Sequence, residues 1–385
     1  MSLLVTVTGR DHPGVTTALM DVLATYDAVV EDVEQVVVHG RLLLGLVIAG
    51  SGDGSAVRSA LLTAASSLGV DLAFEPLDDD VSVEFVRHHI VVLGAPLPPA
   101  AFAGVTRRLA FCGANIERVT RLSSWPAQSF ELVVSGGDTA RLRHELAAEA
   151  VEQHVDVAVE RASIYRRAKR LVVMDVDSTL VQGEVIEMLA VEAGCLAEVA
   201  RVTRAAMAGE LDFEASLRTR VALLEGLPVE AVDRVRAAVH LTPGARTLVR
   251  TLRRLGWTVG IVSGGFTAVT DDLKVELGLD HAEANVLEVV DGRLTGRLLG
   301  RVVDRAAKAA ALRRFAAAEG LRLEQTVAIG DGANDLDMLE AAGLGIAFNA
   351  KPVVRDAADT ALSVPFLDAV LFLLGIPRHE VEQAL

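Results

Sequence analysis

From Leu171 onward the sequence carries short apolar runs, rich in β-branched residues, that are separated by helical stretches. The runs occupy residues 171–174, 259–262, 327–329 and 345–348. Continuous apolar runs of this length are typical of parallel strands, because crossover helices cover both faces of such a sheet. This pattern predicts an α/β fold with an open parallel sheet.

One long interruption separates the first run from the second. Residues 183–241 contain helix-like sequence only, with no strand pattern and no run of turn residues. We therefore expect a helical insertion placed directly after the first strand.

In the part of the chain before this fold, the same order of predicted strands and helices occurs twice. Strands are predicted at 3–8, 29–38, 42–49 and 70–74, with helices from Val15 and at 56–68, which is the order βαββαβ. The order recurs about 85 residues later, with strands at 89–93, 115–122, 130–135 and 155–159 and helices at 99–111 and from Asp138. Two ferredoxin-like domains, 1–80 and 81–165, would thus precede a larger domain, 166–385.

A basic stretch, residues 166–170, marks the last boundary. On an acidic chain we interpret it as a solvated lead-in to the next strand and not as a nucleic-acid patch. The chain has only four lysines, so the position of each one is informative: Lys169, Lys274, Lys308 and Lys351.

Composition excludes several classes of protein. The net charge of −15 argues against nucleic acid or an anionic membrane surface as a partner. No apolar stretch approaches the ~20 residues of a membrane span. The start of the chain lacks the pattern of a secretory signal, and two scattered cysteines, Cys112 and Cys195, are too few for a disulfide framework. We therefore expect a cytoplasmic protein.

Polar motifs follow three of the predicted strands. They read DVDST from Asp175, SGG from Ser263 and GDGAND from Gly330, and Lys308 precedes the third strand. The carboxyl ends of parallel strands share one edge of a sheet, so these groups should converge on one crevice. Carboxylates gathered there would repel each other unless a hard cation such as Mg²⁺ joined them. A carboxylate, a cation, a hydroxyl and a lysine together are the equipment of phosphoryl transfer.

In this order the four motifs resemble those of the haloacid dehalogenase-like phosphohydrolases, over residues 171–374. The resemblance implies a Rossmann-like hydrolase core with Mg²⁺ as cofactor. It also implies that Asp175 is the nucleophile that forms an aspartyl phosphate, and that Asp177 is the general acid and base. The metal would be held by Asp175, the Asp177 backbone carbonyl and Asp331, with Asp335 in support. Groups for the phosphate and the substrate would come from the later motifs: Ser263, Gly264, Lys308 and Asn334.

The helical insertion, 183–241, resembles the cap of the phosphoserine phosphatase family. By that resemblance Glu184 would meet the substrate ammonium group and Arg220 its carboxylate, a task that suits the planar guanidinium. Met207 and Phe213 would close over the site as an apolar lid. The implied reaction is hydrolysis of O-phospho-L-serine to L-serine and phosphate, the last step of serine biosynthesis.

The βαββαβ pair resembles ACT domains, which are amino-acid-sensing modules. The loop 10–14 of the first copy resembles an ACT ligand loop, whereas the second copy has Ala95-Pro96-Leu97-Pro98-Pro99 without the Asp and Gly. The resemblance implies L-serine as a possible effector and a homodimer formed through these domains. Three alternatives stay open: another small phosphomonoester as substrate, phosphoryl transfer to an alcohol, and a non-enzymatic amino-acid sensor. A receiver domain is disfavoured by the long separation of Asp175 from Lys308, and an ion pump by Asp177.

Overall fold

The structure is a computed structural model that describes residues 2–26, 28–49, 54–77, 86–207 and 211–383. The chain divides into two compact units, Met1–Glu84 and Phe85–Leu385. Among the residues described, no helix has both the length and the apolar character needed to cross a membrane.

The first unit is a four-stranded antiparallel sheet with two helices. Its elements are β1 (Ser2–Arg10), α1 (Val15–Thr25), β2 (Val29–Val38), β3 (Arg41–Ala49), α2 (Ser55–Leu68) and β4 (Val70–Leu77). The strand order is β2-β3-β1-β4. Val5 and Val7 of β1 are fully buried with Leu19 of α1, whereas Thr6 between them is exposed. This alternation follows from the two-residue period of a strand with one covered face. The predicted βαββαβ order is confirmed.

The second unit opens with a second copy of the same arrangement. Its elements are β5 (Arg87–Gly94), α3 (Pro99–Phe111), β6 (Ala114–Ser123), β7 (Gln128–Gly136), α4 (Thr139–Gln153) and β8 (Asp156–Arg161), in the strand order β6-β7-β5-β8. A β-bulge interrupts β2 between Val30 and Asp32, and another interrupts β6 between Ile116 and Arg118. The matching bulges confirm the predicted repeat.

A seven-stranded sheet lies at the centre of the rest of the second unit, and its strand order is β12-β11-β10-β9-β13-β14-β15. The strands are β9 (Leu171–Met174), β10 (Thr258–Phe266), β11 (His281–Val290), β12 (Arg293–Leu299), β13 (Thr326–Gly330), β14 (Gly345–Phe348) and β15 (Thr360–Leu362). β9 pairs in parallel with β10 and β13, so their carboxyl ends lie side by side. The predicted parallel sheet is confirmed.

Helices surround this sheet. They are α5 (Ile164–Arg167), α6 (Val185–Glu192), α7 (Leu196–Met207), α8 (Phe213–Ala222), α9 (Val229–Ala238), α10 (Ala245–Arg254), α11 (Thr267–Leu277), α12 (Arg305–Ala318), α13 (Leu336–Ala341), α14 (Pro352–Ala357), α15 (Val370–Leu373) and α16 (Arg378–Gln383). The four helices α6 to α9 lie within the predicted insertion, and we call them the cap.

The sequence analysis missed β11, β12 and β15, of which β12 and β15 are the two edges of the sheet. β11 and β12 form an antiparallel hairpin whose turn is Asp291-Gly292, both with positive φ, 50° and 73°. An Asp-Gly pair at such φ values is a favoured two-residue hairpin turn. That dipeptide was therefore a usable sign of the hairpin. β15 has only three residues, too few for a period to show.

The basic stretch, residues 166–170, is a solvated lead-in only in part: Arg167 and Arg170 are exposed, but Arg166 and Lys169 are not. The Arg166 side chain is only 9% exposed and its Nη2 donates to Glu131 Oε1 at 2.5 Å. Lys169 Nζ lies 2.9 Å from Glu160 Oε1, and that lysine is buried. Both carboxylates belong to the second βαββαβ copy, which therefore gives these cations buried partners. The predicted domain boundaries near residues 80 and 165 stay predictions.

Candidate active site

Asp175 follows β9 directly and is almost fully buried. Its Oδ1 accepts hydrogen bonds from the Val176 N–H at 2.7 Å and from Lys308 Nζ at 2.8 Å. The next residues, Val176–Leu180, form a tight turn that the Val181 N–H closes by donating to the Val176 carbonyl, and within it Ser178 has a φ of 58°. A non-glycine residue in this left-handed region is strained, and such strain is often found at functional sites. The tight turn places the side chains of Asp175 and Asp177 in the same pocket wall.

Asp177 links the sheet to the cap. Its Oδ1 accepts a hydrogen bond from the Val185 N–H at the start of α6, at 2.9 Å. Its Oδ2 lies 2.8 Å from the place that a Cβ would occupy at Gly265, so a side chain at position 265 would displace this carboxylate. Burial raises the pKa of the Asp177 carboxyl to about 7, and the negative charge of Glu184 adds to the rise. A carboxyl with such a pKa can carry a proton near neutral pH.

The end of β10 supplies the second motif. Ser263 is buried, and its Oγ accepts a hydrogen bond from the Gly265 N–H at 2.8 Å. The Gly264 carbonyl accepts from Asn285 Nδ2 at 2.8 Å, while Asn285 Oδ1 accepts from the Val303 N–H at 2.8 Å. Gly264 also faces the cap, because a Cβ there would lie 3.1 Å from Phe213 Cζ. The loop is thus fixed by hydrogen bonds from behind and contacted by an aromatic ring from the cap.

Lys308 is fully buried between two carboxylates. Its Nζ lies 2.8 Å from Asp175 Oδ1 and 2.6 Å from Asp335 Oδ1. Burial alone would lower the pKa of the Lys308 ammonium group, but Asp175 and Asp335 raise it above its usual value. The lysine therefore stays charged and holds both carboxylates in place. A buried lysine with only one partner would be much less stable as a cation.

Asp331 and Asp335 come from the loop after β13. Asp331 Oδ1 accepts from Thr179 Oγ1 at 3.0 Å, and Asp335 Oδ2 accepts from the Gly332 N–H at 3.0 Å. Burial raises the pKa of Asp331 to about 6, with the charge of Asp335 as the next cause. Burial, and then Asp335, also raises the pKa of Asp175 well above its usual range. One lysine does not offset the repulsion among these carboxylates.

The donor set fits a divalent cation. Asp175, Asp331 and Asp335 each offer a carboxylate oxygen, and these three oxygens lie within 4.8 Å of one another. Oxygen ligands of this kind suit hard cations such as Mg²⁺, and an added positive charge would relieve the mutual repulsion. The Asp177 side chain is already engaged by Val185, which is compatible with its predicted part as a backbone carbonyl ligand only.

A cavity of about 550 Å³ lies between these strand ends and the cap. The predicted residues that line it are Asp175, Asp177, Glu184, Phe213, Arg220, Gly264, Asp331 and Asn334. Ser263, Lys308 and Asp335 do not line it, because they are buried and contact residues that do. Met207 ends α7, and its side chain lies outside what the structure describes.

The cap contributes opposite charges to this cavity. Arg220 Nε is buried without a hydrogen-bond partner among the described residues. Burial lowers the pKa of the Arg220 guanidinium, whereas the charges of Glu184 and Asp177 act in the opposite direction. Glu184 precedes α6 and lies 3.4 Å from Ser178 Oγ, which donates to its Oε1. A buried donor without a partner implies that a ligand group completes the site.

Several further residues line the cavity that the sequence analysis did not select, among them Ser216 and Lys351. Ser216 lies one turn before Arg220 on α8, and its buried Oγ has no hydrogen-bond partner in the part of the chain that the structure describes. Lys351 caps α14. The i, i+4 spacing from Arg220 could have identified Ser216, and the scarcity of lysine could have identified Lys351.

Comparison with known protein families agrees with this geometry. Residues 172–340 match the haloacid dehalogenase-like hydrolase family, and residues 1–75 and 86–160 each match an ACT domain family. The phosphoserine phosphatase of Streptomyces coelicolor is 57% identical over 386 residues, covering 100% of this chain and 94% of that protein. The phosphoserine phosphatase of Mycobacterium tuberculosis is 52% identical over 390 residues, covering 100% and 95%.

Solved structures give the same result. A probable phosphoserine phosphatase from Vibrio cholerae aligns with a TM-score of 0.59 and 37% identity, covering 77% of this chain and 89% of that one. A substrate-bound phosphoserine phosphatase aligns with a TM-score of 0.51 and 45% identity, covering 53% and 98%. The chain belongs to the haloacid dehalogenase-like hydrolases, in the group that comprises phosphoserine phosphatases with two N-terminal ACT domains.

Proposed function

We propose that this chain hydrolyses O-phospho-L-serine to L-serine and phosphate, the last step of serine biosynthesis. The proposal rests on one observation: the cavity has one group of charged residues at the strand ends and a different group on the cap side. Clustered carboxylates with a buried lysine lie at the strand ends, and an arginine with an unpartnered Nε lies beside a glutamate on the cap side. Phosphoserine carries a phosphate, a carboxylate and an ammonium group. The cap charges suit the last two and the strand ends suit the first.

In the first half-reaction a carboxylate oxygen of Asp175 attacks phosphorus. Since Oδ1 already accepts from Val176 and Lys308, we assign the attack to Oδ2. The bond from phosphorus to the serine oxygen breaks, and Asp177 donates its proton to that oxygen. The products of this step are L-serine and an aspartyl phosphate on Asp175. A solved phospho-aspartyl intermediate analogue of phosphoserine phosphatase aligns with this chain at 45% identity and a TM-score of 0.51.

In the second half-reaction Asp177, now ionised, takes a proton from water as the water oxygen attacks the same phosphorus. The bond from phosphorus to Asp175 breaks, which regenerates the free carboxylate and releases phosphate. Ser263, the Gly264 N–H and Lys308 hold phosphate oxygens in this proposal, and Asn334 orients the substrate. Mg²⁺ would be held by Asp175, the Asp177 carbonyl and Asp331, with Asp335 in support, and when bound it would supply positive charge beside the phosphate.

Substrate choice is assigned to the cap. Arg220 binds the substrate carboxylate, Glu184 its ammonium group, and Phe213 and Met207 close over them. Phe213 already lies against Gly264, which supports the lid assignment for that residue.

The nucleophile is tested by Asp175→Asn. A neutral amide is no nucleophile, so we expect neither turnover nor a base-labile phosphoprotein. Asp177→Asn should slow turnover by ~10²–10⁴. Asp271→Asn, at an exposed position on α11, is the control and should keep full activity. Trapping of phosphoenzyme in the Asp175→Asn protein would refute the assignment.

Substrate identity is tested by phosphate release across a panel of small phosphomonoesters. Arg220→Ala should lower kcat/KM for phosphoserine, which corresponds to a loss of ~2–5 kcal/mol in transition-state stabilisation. The loss should be far smaller for p-nitrophenyl phosphate, which lacks a carboxylate. Arg218→Ala, two residues earlier and half-exposed, is the matched control. Equal losses for both substrates would place Arg220 in the phosphate site, and a better substrate in the panel would support another phosphomonoester. Phosphoryl transfer to added alcohols would support the transferase alternative.

We also propose that the chain is a homodimer that responds to L-serine. Strand β2 is at the edge of the first sheet, and all ten of its residues are exposed, including six valines. An edge strand of this kind pairs readily with a second copy. The effector loop of the first copy contains Asp11 and ends at Gly14, whose φ of 99° requires glycine before α1. A cytoplasmic location stays a prediction from the sequence.

A further inference from the structure

The β11–β12 hairpin attaches the cap to the seven-stranded sheet. β12 is the outermost strand of that sheet, and the loop between α8 and α9 bonds to its backbone. The Gly226 N–H donates to the Leu294 carbonyl at 2.8 Å, and the Leu294 N–H donates to the Leu227 carbonyl at 2.9 Å. We call this contact, between residues 226–227 and 293–294, the tether. It gives partners to backbone groups that an edge strand otherwise leaves unpaired.

Two side-chain positions on β12 tighten the tether. Arg293 Nη1 donates to the Gly226 carbonyl at 2.7 Å, so both backbone polar groups of Gly226 are bonded to β12. Gly296 has a φ of 75°, and a Cβ there would lie 3.2 Å from the Cα of Ala222, the last residue of α8. The end of α8 therefore lies directly against β12.

Apolar packing supports the same attachment. Leu294 is only 3% exposed and belongs to the same buried core as Leu217 and Val221 of α8 and Leu224 of the following loop. Apolar burial holds surfaces together without fixing their orientation, whereas hydrogen bonds require a particular geometry. The packing thus accounts for adhesion of the cap to the hairpin, and the tether fixes where α8 ends.

The other strand of the hairpin leads to the loop that is assigned to phosphate. β11 pairs with β12 on one side and with β10 on the other. The buried Asn285 of β11 donates from Nδ2 to the Gly264 carbonyl at 2.8 Å. Arg220, which is assigned to the substrate carboxylate, lies two residues before the end of α8. One hairpin therefore holds the phosphate loop through β11 and the arginine helix through β12.

We propose that the β11–β12 hairpin sets the distance between the phosphate loop and Arg220, and so selects substrates by length, with Arg293 as a positioning residue. This inference rests on the proposed function, because the phosphate and the carboxylate of one substrate mark the two ends of that distance. O-phospho-L-homoserine is longer by one methylene, so its carboxylate would overshoot Arg220. A displacement of about 1 Å can change a rate by ~10²-fold, so selection by length depends on how firmly α8 is held.

The kinetic test is Arg293→Ala, at an exposed position that does not line the active-site cavity. Loss of one hydrogen bond should lower kcat/KM for O-phospho-L-serine about three- to tenfold. The preference for O-phospho-L-serine over O-phospho-L-homoserine should fall with it, because a looser α8 admits the longer substrate. Activity on p-nitrophenyl phosphate, which has no carboxylate, should stay unchanged. Arg293→Lys keeps a donor and should restore most of the preference.

The matched control is Arg297→Ala, at another exposed arginine of β12, which should keep the wild-type preference. An unchanged preference in Arg293→Ala, or an equal loss with all three substrates, would overturn the role in substrate selection. A general loss of stability would lower all three activities together, so the ratio separates positioning from folding.

A measurement without substrate tests the tether itself. In hydrogen exchange of the full chain, Arg293→Ala should speed exchange in residues 213–227, which comprise α8 and the tether loop, and leave residues 267–277 of α11 unchanged. Unchanged exchange in residues 213–227 would overturn the tether. A wild-type chain that releases no phosphate from O-phospho-L-serine would instead refute the proposed function, and with it the selection by length, while the exchange result still decides whether the tether exists.

Discussion

The two βαββαβ copies have the same order of elements, but their central strands differ in how many faces are buried. In the first copy, β1 reads VTVT at its centre and only its valines are fully buried. In the second copy, β5 reads IVVL and all four residues are buried. Ile90 and Val92 pack with the domain's own helices, whereas Val91 and Leu93 belong to the large core of the catalytic sheet.

The contrast shows what burial of both faces of a βαββαβ sheet does. In the second copy one face packs on the copy's own helices, and the other face joins the core of the seven-stranded sheet. Polar contacts make the same connection, because Thr360 Oγ1 donates to the Val157 carbonyl at 3.3 Å and Arg378 lies over the Trp125 ring at 5.5 Å. The first copy instead keeps β2 exposed along its length. An alternating strand and a continuous apolar strand differ in sequence, so this difference was readable in advance.

The largest effect expected from this comparison is that of truncation. A chain of residues 86–385 keeps the contacts within the second unit, so its melting temperature should equal that of the second unit in the full chain. A chain of residues 164–385 loses the cover provided by residues such as Val91 and Leu93, and its Tm should fall by roughly 10 °C or more. Circular dichroism melts of the two truncated chains measure this difference. Equal melting temperatures of the two truncated chains would show that the second copy does not stabilise the seven-stranded sheet.

A smaller effect is expected from the buried ion pairs. Arg166→Ala leaves Glu131 and Glu160 without this partner in a nearly buried site, so the free energy of unfolding should fall by about 3–5 kcal/mol. Arg87→Ala removes an exposed pair with Glu117 and should cost only ~0–1 kcal/mol. Urea denaturation of both variants gives the comparison. Similar losses in the two variants would contradict the role assigned to Arg166.

The smallest effect on stability is expected at the exposed strand of the first copy. Val36→Glu should leave the fold unchanged, since Val36 is 55% exposed, but it should convert the proposed dimer to a monomer. Val151→Glu, at a 60% exposed valine on α4, is the matched control. Sedimentation velocity distinguishes the two states. A dimer that survives Val36→Glu would require another interface.

The positions of three motifs at strand ends could be predicted from the sequence, because each motif adjoins the strand that positions it. These motifs are DVDST, SGG and GDGAND. Pairings between distant residues were out of reach. Nothing in residues 166–170 shows that Arg166 meets Glu131, which lies 35 residues earlier. The unpartnered Nε of Arg220 and Oγ of Ser216 likewise become visible only once α8 is packed against the sheet. Residue type predicts which groups can react, but burial and partners need the fold.

The most direct measurement is phosphate release from O-phospho-L-serine by the chain of residues 86–385 in Mg²⁺, beside the full chain. The account predicts the same kcat for both, because every active-site residue and its supporting contacts lie in the second unit, and loss of activity when EDTA removes the metal. Absence of phosphate release from the shorter chain, or release that EDTA does not affect, would contradict it.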